Sequence, residues 1–339
     1  MAKRIDIAFC FNENMYMPAG VAISSLLENR GGEGACHYAI HCVVPEGFPH
    51  LARREISELV RGKDPKSTIG FLEANHDFDM LDTGRYSTAC FYRLMLPCLL
   101  PDLDRIIYAD SDMLFLDDLG GLAEFDLGDN LIAAAKEPDP RPSDPQKYGA
   151  RYDIRSGEWI NSGVLIMDLK KIRAAGLYGK WIELARQGGG FEFPDQDIVV
   201  ITCNRRTAFL PLKYNYRTND IDEREKDYID AGIVSRAEFD EAVKSPVVLH
   251  YIVNKPWDIP SRPYADIWWS HAARTPFFEV LKLKCLKRLA IDAAVSHVVR
   301  AEWRLFGFLP LLVKKESRER GKWYLFGFIL LFRVKKKIA

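Results

Sequence analysis

A chain of 339 residues with 48% hydrophobic and 28% charged content is a folded protein, large enough for one big core or two smaller ones. Its 7 cysteines, odd in number and without a Cys-x-x-Cys, argue against a disulfide framework and for reduced thiols in a cytosolic compartment; the start, MAKRIDIAFCF, argues against a signal peptide. The zero net charge hides an asymmetry: Leu281–Ala339 holds 15 Lys and Arg against 4 Asp and Glu, so an acidic body carries a basic tail suited to an anionic surface, membrane or nucleic acid.

Ile5–Phe11 is an apolar, β-branched run and predicts a buried strand. Residues 17–29 predict a helix, with Val21, Ile23, Leu26 and Leu27 as its apolar set. A second strand is expected over 38–45, then a helix over 51–62 stopped by Gly62. A third strand over 67–74 precedes a helix over 88–101 ended by prolines. DRIIYAD (104–110) predicts a fourth strand with Asp110 at its end. Further strands are expected over 130–137, 159–169, 207–212 and 245–252, and helices over 174–187 and 195–204. This alternation implies an α/β fold with a largely parallel sheet and helices on both faces. In such sheets ligands gather beyond the carboxyl ends of the strands, where Asp110 falls. The Pro-rich connection over 138–158 has the size of a lid or binding loop.

Neither G-x-G-x-x-G nor G-x-x-x-x-G-K-[ST] occurs, so a bound nucleotide would need another device for its phosphates, and a divalent cation on carboxylates is the obvious one. Five Asp-x-Asp triplets are present: Asp77/Asp79, Asp102/Asp104, Asp110/Asp112, Asp195/Asp197 and Asp220/Asp222. In YADSDMLFLD two carboxylates two apart lie between apolar anchors, either as one side of a metal site or as solvated turn residues. Asn161-Ser162-Gly163 opens a buried run; it reads as a plain turn or as a sugar contact, with glycine admitting close approach. Asp195 reads as the N-cap of the following helix, which does not exclude that Asp195 and Gln196 face a pocket. His250 ends a buried strand, and Lys255 follows, held by Pro256 and Trp257. A His completing a site with two Asp favours Mn²⁺, and Lys255 would neutralise a diphosphate.

In this order, YADSDMLFLDDL, INSGVLIMDL, PDQDIVV, LPLKYNY and HYIVNKPW resemble the motifs of family 8 glycosyltransferases, the retaining galactosyl- and glucosyltransferases of bacterial lipopolysaccharide synthesis, with glycogenin as a relative. The resemblance covers about residues 3–275. It implies a GT-A fold with a Rossmann-like mixed sheet, a UDP-sugar donor (UDP-glucose or UDP-galactose), and Mn²⁺, with Mg²⁺ as the alternative. By position it implies Asp110, Asp112 and His250 as metal ligands, and Arg93, Asn161, Asp195 and Gln196 as donor-sugar contacts. Asn12 and Asn14 would bind uridine and Lys255 the diphosphate. Asn12 stands where the family often has Asp, and the segment from His250 to Lys255 lacks the usual Gly and is one residue shorter. Gln196 is a poor nucleophile near the anomeric carbon, so front-face attack is expected, with Asp195 positioning the donor. The acceptor would be a saccharide or glycolipid such as lipopolysaccharide core.

The tail carries an internal repeat, WRLFGFLPLLVKK (303–315) and WYLFGFILLFRVKKK (323–337). Its apolar runs are too short to span a bilayer, which takes ~20 residues. Aromatics beside Lys and Arg suggest an interfacial anchor on anionic lipid, following a basic amphipathic helix over 277–303. The reading is therefore a catalytic domain over 1–275 and a basic, aromatic, helical membrane-association region over 276–339, peripheral on the inner face of the cytoplasmic membrane. Nucleic acid is disfavoured by so greasy a tail; packing of its aromatics on the body, or an oligomer contact, is the plainer alternative. A haloacid-dehalogenase-type phosphatase also places Asp-x-Asp after a strand, but Leu114 stands where it has Thr or Val. A non-catalytic sugar- or membrane-binding relative would not need to keep Asp110, Asp112, Asn161, Gln196 and His250 together.

Overall fold

In the computed structural model, β1 (Lys3–Cys10) is buried on both faces from Ile7 onward. It pairs in parallel with β2 (Cys36–Val44) on one side and β4 (Arg105–Asp110) on the other, and β2 pairs in parallel with β3 (Thr68–Glu73). Beyond β4 lies β7 (Ile160–Asp168), antiparallel to both β4 and β6 (Ile132–Lys136), and β8 (Thr207–Leu210) closes the edge parallel to β6. The seven-stranded order β3-β2-β1-β4-β7-β6-β8 thus has a single reversed strand. The structure describes residues 3–31, 36–79, 81, 87–138, 154, 157–188, 191, 193–218, 225–253, 255–296, 299–305, 309–316, 320–325 and 329–335. Most of the expected 138–158 lid lies outside them.

A three-stranded sheet brackets the Asp110–Asp112 turn. Its members are β5 (Met113–Phe115), antiparallel to β10 (Val248–His250), and β9 (Tyr216–Arg217), parallel to β10. Helix α1 (Tyr16–Glu28) fixes β5: Phe115 N donates to Ser25 Oγ at 3.0 Å, and Asn29 Nδ2, at the helix C-cap, donates to Phe115 O at 3.0 Å. Burying a serine there is tolerated because its hydroxyl is fully used, donating in turn to Ala22 O at 2.7 Å.

Three local expectations are corrected. Helix α2 (His50–Lys63) runs through Gly62 and stops one residue later. Helix α3 (Tyr92–Leu99) keeps Pro97 inside it. Five further helices carry the chain on: α4 (Gly120–Glu124), α5 (Leu169–Ala174), α6 (Leu177–Gln187), α7 (Pro194–Cys203) and α8 (Arg236–Lys244). In α7 the cap position is Phe193 and Pro194 is the first helical residue, so Asp195 is not the N-cap. Its carboxylate is left for other partners.

The chain divides into two compact units, Met1–Pro256 with Ser261–Phe278, and Trp257–Pro260 with Glu279–Ala339. The first ends with α9 (Ala265–Ala272). In the second the helix expected over 277–303 ends at Ser296, as α10 (Phe278–Ser296). Past this helix the tail is strand, against the helical expectation: β11 (Val299–Leu305), β12 (Leu309–Glu316), β13 (Arg320–Leu325) and β14 (Ile329–Lys335) form a four-stranded antiparallel meander. The two sequence repeats are two β-hairpins. Basic and apolar residues alternate through RGKW and FRVK, a period of two that suits strands.

Candidate active site

Asp110 is the last residue of β4 and stands in register with Cys10 of β1. Ser111 is buried, and Met113 of β5 pairs with His250 of β10. Tyr251 N also donates to Asp112 O at 3.0 Å. The ladder that brings His250 beside the two aspartates therefore begins one residue after Asp112. His250 Nε2 lies 3.7 Å from Asp110 Oδ2 and 3.4 Å from Asp112 Oδ1. One ligand atom of each residue lies within 4.8 Å of the others.

Asp112 Oδ1 is buried and accepts no hydrogen bond, while its Oδ2 is paired with Lys255 Nζ. Lys255 Nζ also donates to Tyr251 O at 2.6 Å. Burial pushes the Asp112 carboxyl up, and Lys255 and His250 more than reverse this, holding it well below the usual carboxylate range. An ionised, water-excluded oxygen without a donor is costly unless a cation meets it. Two carboxylates and an imidazole nitrogen are a donor set for Mn²⁺ or Mg²⁺. The residues fit a divalent cation.

A buried amide relay turns His250 the right way for this. His250 Nδ1 bonds Asn215 Oδ1 at 2.9 Å, so Nδ1 carries the proton and Nε2 faces the aspartates with its lone pair. Asn215 Nδ2 donates to Asn161 Oδ1 at 2.8 Å, Asn161 Nδ2 donates to Glu137 Oε2 at 3.1 Å, and Glu137 Oε1 is paired with Arg217. Asn161 Oδ1 also accepts from Gly163 N at 2.9 Å. The pairing of β6 with β7 jumps here, from Ala134 opposite Leu165 to Ala135 opposite Asn161. This bulge aims Asn161-Ser162-Gly163 at the cleft. Gly163 is required by space: a Cβ would lie 2.7 Å from His250 Nδ1 and 2.8 Å from Asn161 Oδ1.

Arg93 of α3 joins the metal side to the Asp195 side. Its Nη2 donates to Asp110 Oδ1 at 2.7 Å, its Nε meets Asp195 Oδ2 at 2.9 Å, and its Nη1 donates to Ser162 O at 2.7 Å and Oγ at 2.9 Å. The guanidinium also lies over the Tyr108 ring, whose hydroxyl donates to Asp110. Burial raises the Asp195 carboxyl above its ordinary value, Arg93 pulls it down and Asp110 pushes it up again. Gln196 is oriented by Ser162 N, which donates to its Oε1 at 3.0 Å, and by Glu137 Oε2, which accepts from its Nε2 at 3.4 Å.

These groups share one cavity of about 530 Å³, which holds Asp110, Asp112, Arg93, Asn161, Asp195, Gln196, His250 and Lys255 on its walls. Asn12 lines it too; Asn14 is exposed, not among the lining residues, and its backbone N–H donates to Asn12 Oδ1 at 3.1 Å. Glu137, Arg217 and Asn215 complete the site and escape sequence reasoning. Their one signal is position at the end of a strand, or just before one, beside the cleft.

A model of the family described as "Glycosyl transferase family 8" matches residues 6–259. The chain belongs to this family. Among curated family relatives, it is 28% identical over 220 residues to a lipopolysaccharide 1,2-glucosyltransferase of Escherichia coli K12, covering 62% of each chain. It is 29% identical over 186 residues to the glycosyltransferase GlyE of Streptococcus pneumoniae, covering 54% of this chain and 40% of that one. The chain thus spans less than two thirds of either relative. Of solved structures, the apo bifunctional glycosyltransferase WbbM matches with a TM-score of 0.73 at 22% identity, over 84% of this chain and 52% of that one. The galactosyltransferase LgtC, in complex with donor and acceptor sugar analogues, matches with a TM-score of 0.66 at 22% identity, over 80% of this chain and 96% of that one. Both are GT-A glycosyltransferases, and this family 8 chain has the GT-A fold. Among the described residues no helix is long and apolar enough to cross a membrane.

Proposed function

We propose that this family 8 enzyme transfers glucose or galactose from a UDP-sugar, with retention, to a saccharide acceptor such as lipopolysaccharide core, and that it uses Mn²⁺ held by Asp110, Asp112 and His250. The observation that carries the reading is the buried, unpartnered Oδ1 of Asp112 facing His250 Nε2 across 3.4 Å. A divalent cation bound there supplies positive charge for the leaving diphosphate.

The chain's own residues do the rest. Lys255 moves its ammonium from Asp112 to the diphosphate. Arg93 holds Asp110 and Asp195 apart, so that one serves the metal and the other the donor hexose. Asn12 contacts the uracil. Gln196 borders the reacting carbon and is no nucleophile, because its carboxamide oxygen is neutral and already accepts from Ser162. The nearby carboxylates are engaged, Asp195 with Arg93 and Glu137 with Arg217. This favours front-face attack, with the departing UDP phosphate taking the acceptor proton. Catalysis is assigned to the unit ending at Phe278, and attachment to an anionic membrane surface on the cytoplasmic side to the basic C-terminal unit.

A panel of UDP-hexoses tests the reading. Hydrolysis of UDP-glucose or UDP-galactose is expected with Mn²⁺ and is expected to stop in EDTA. Undiminished turnover in EDTA, or none with any UDP-hexose, would sink it. The Gly163→Ala variant gives a second test. Its methyl pushes the His250 ring from its place, so Mn²⁺ affinity measured calorimetrically should fall roughly 10–100-fold, as for other lost outer-sphere supports. Wild-type affinity in this variant would contradict the packing argument.

A further inference from the structure

We infer that Val253 is a positioning residue for the donor diphosphate: its strained backbone holds the loop that carries Lys255 in a state that donor binding releases. Val253 has φ 57°, in the left-handed region. A β-branched residue there is an outlier, because the branch at Cβ crowds the backbone. Arg205 and Tyr264 also have positive φ, and neither is β-branched. Glycine would take this conformation freely, yet none occurs between His250 and Trp257. Nor does burial offset the strain, since Val253 is 72% exposed. Its side chain lines the active-site cavity beside Ile252 and Lys255.

Such a conformation persists only where its surroundings impose it. Here both ends of the loop are fixed. Tyr251 is fully buried; its N–H donates to Asp112 O at 3.0 Å and its hydroxyl to Tyr264 O at 2.9 Å. At the far end Trp269 Nε1 donates to Pro256 O at 3.1 Å. Lys255 then closes the loop on itself. Its Nζ donates to Tyr251 O at 2.6 Å and is paired with Asp112 Oδ2, so the ammonium clasps the residues on either side of Val253. The fixed ends are backbone and core contacts that a ligand does not reach. The clasp is different, because it is made by the one cation that a diphosphate would attract. When Lys255 turns to the phosphates, the restraint across Val253 opens and its backbone can leave the left-handed region. Strain held in the ligand-free loop thereby adds to donor affinity.

The inference deepens the proposed UDP-sugar site and rests on it. The test compares the full-length wild type with Val253→Gly and Val253→Asn, two residues that accept positive φ. Each is melted without ligand and titrated calorimetrically with UDP in the presence of Mn²⁺. Both variants relax the clasped loop, so both should melt higher than wild type and bind UDP more weakly, on the order of tenfold. The opposite signs are the signature, since a residue with a merely structural role would lower stability and affinity together. Val253→Ala loses the isopropyl group but keeps a Cβ, so it should lose less affinity than either variant. If Val253→Gly fails to fold, Val253→Asn carries the same test. Wild-type chain that binds no UDP with Mn²⁺ overturns the donor reading and the loop inference with it. Wild-type UDP binding together with unchanged or tighter binding in both variants overturns the loop inference alone. So does a lower melting temperature in both, or a loss in Val253→Ala as large as theirs, which would make the isopropyl contact the cause.

Discussion

Asp112→Asn is expected to abolish metal-dependent sugar transfer, by roughly 10³-fold or more, while leaving the fold intact. The substitution keeps the shape and removes one charge. In the wild type that charge faces the Lys255 ammonium on Oδ2 and the His250 ring near Oδ1, and Oδ1 has no donor of its own. Asparagine would present either a neutral oxygen or an NH₂ group to the cation, and neither replaces an anionic ligand on a hard ion. The backbone carbonyl of residue 112 still accepts from Tyr251 N, so the join between the turn and the three-stranded sheet survives. Mn²⁺ titration and transfer at saturating Mn²⁺ should both fail, with a thermal transition close to wild type. A variant retaining a tenth of wild-type transfer would remove Asp112 from the metal site.

The parts of this site that sequence exposes are those carried by local strings. Asp110 and Asp112 stand out because a strand end, an acid pair and an apolar return are all visible within a dozen residues. His250 stands out because it terminates a buried run. The relay behind them does not. Glu137, Asn215 and Arg217 are single polar residues in otherwise ordinary segments, and each acquires meaning only when β6, β7 and β9 bring their ends together. Asn161 shows the same limit from the other side. Both acceptor positions of its amide oxygen are filled by Gly163 N and Asn215 Nδ2, so much of its role is to orient His250, which no reading of Asn-Ser-Gly as a sugar contact contains.

The sheet order is legible in outline because buried strands and amphipathic helices alternate with distinct periods. The single reversed strand, β7, is not, since its nine-residue run is buried up to Met167 and carries no sign of direction. The strands of the tail are hidden for a different reason: Leu-Phe-Gly-Phe beside Lys clusters reads as an interfacial helix by composition, whereas the period-two alternation through RGKW and FRVK depends on the order of residues, which composition does not carry.

Arg93→Met should destabilise the protein by roughly 3–5 kcal/mol and Arg93→Lys should cost activity even where it folds. Arg93 is 7% exposed and bridges two carboxylates on different elements, Asp110 of β4 and Asp195 of α7. Methionine fills the space and leaves both acids without their shared cation. For a domain of this size that loss lowers the melting temperature by roughly 5–10 °C. The sign of its pH dependence comes from Asp195, whose carboxyl already lies above its ordinary value in the folded state. Without Arg93 it rises further, so the folded variant binds a proton that the unfolded chain releases. The deficit relative to wild type is therefore greatest near neutral pH and narrows as the pH falls towards the carboxylate range. Lysine restores one charge but not the fork: a single ammonium cannot reach Asp110, Asp195 and the Ser162 carbonyl along three fixed directions. Loss of that alignment should lower kcat/KM on the order of 10²-fold. Melting curves at two pH values and donor kinetics decide the matter. If Arg93→Lys melts and turns over like wild type, the guanidinium geometry is not what separates the metal acid from the sugar acid.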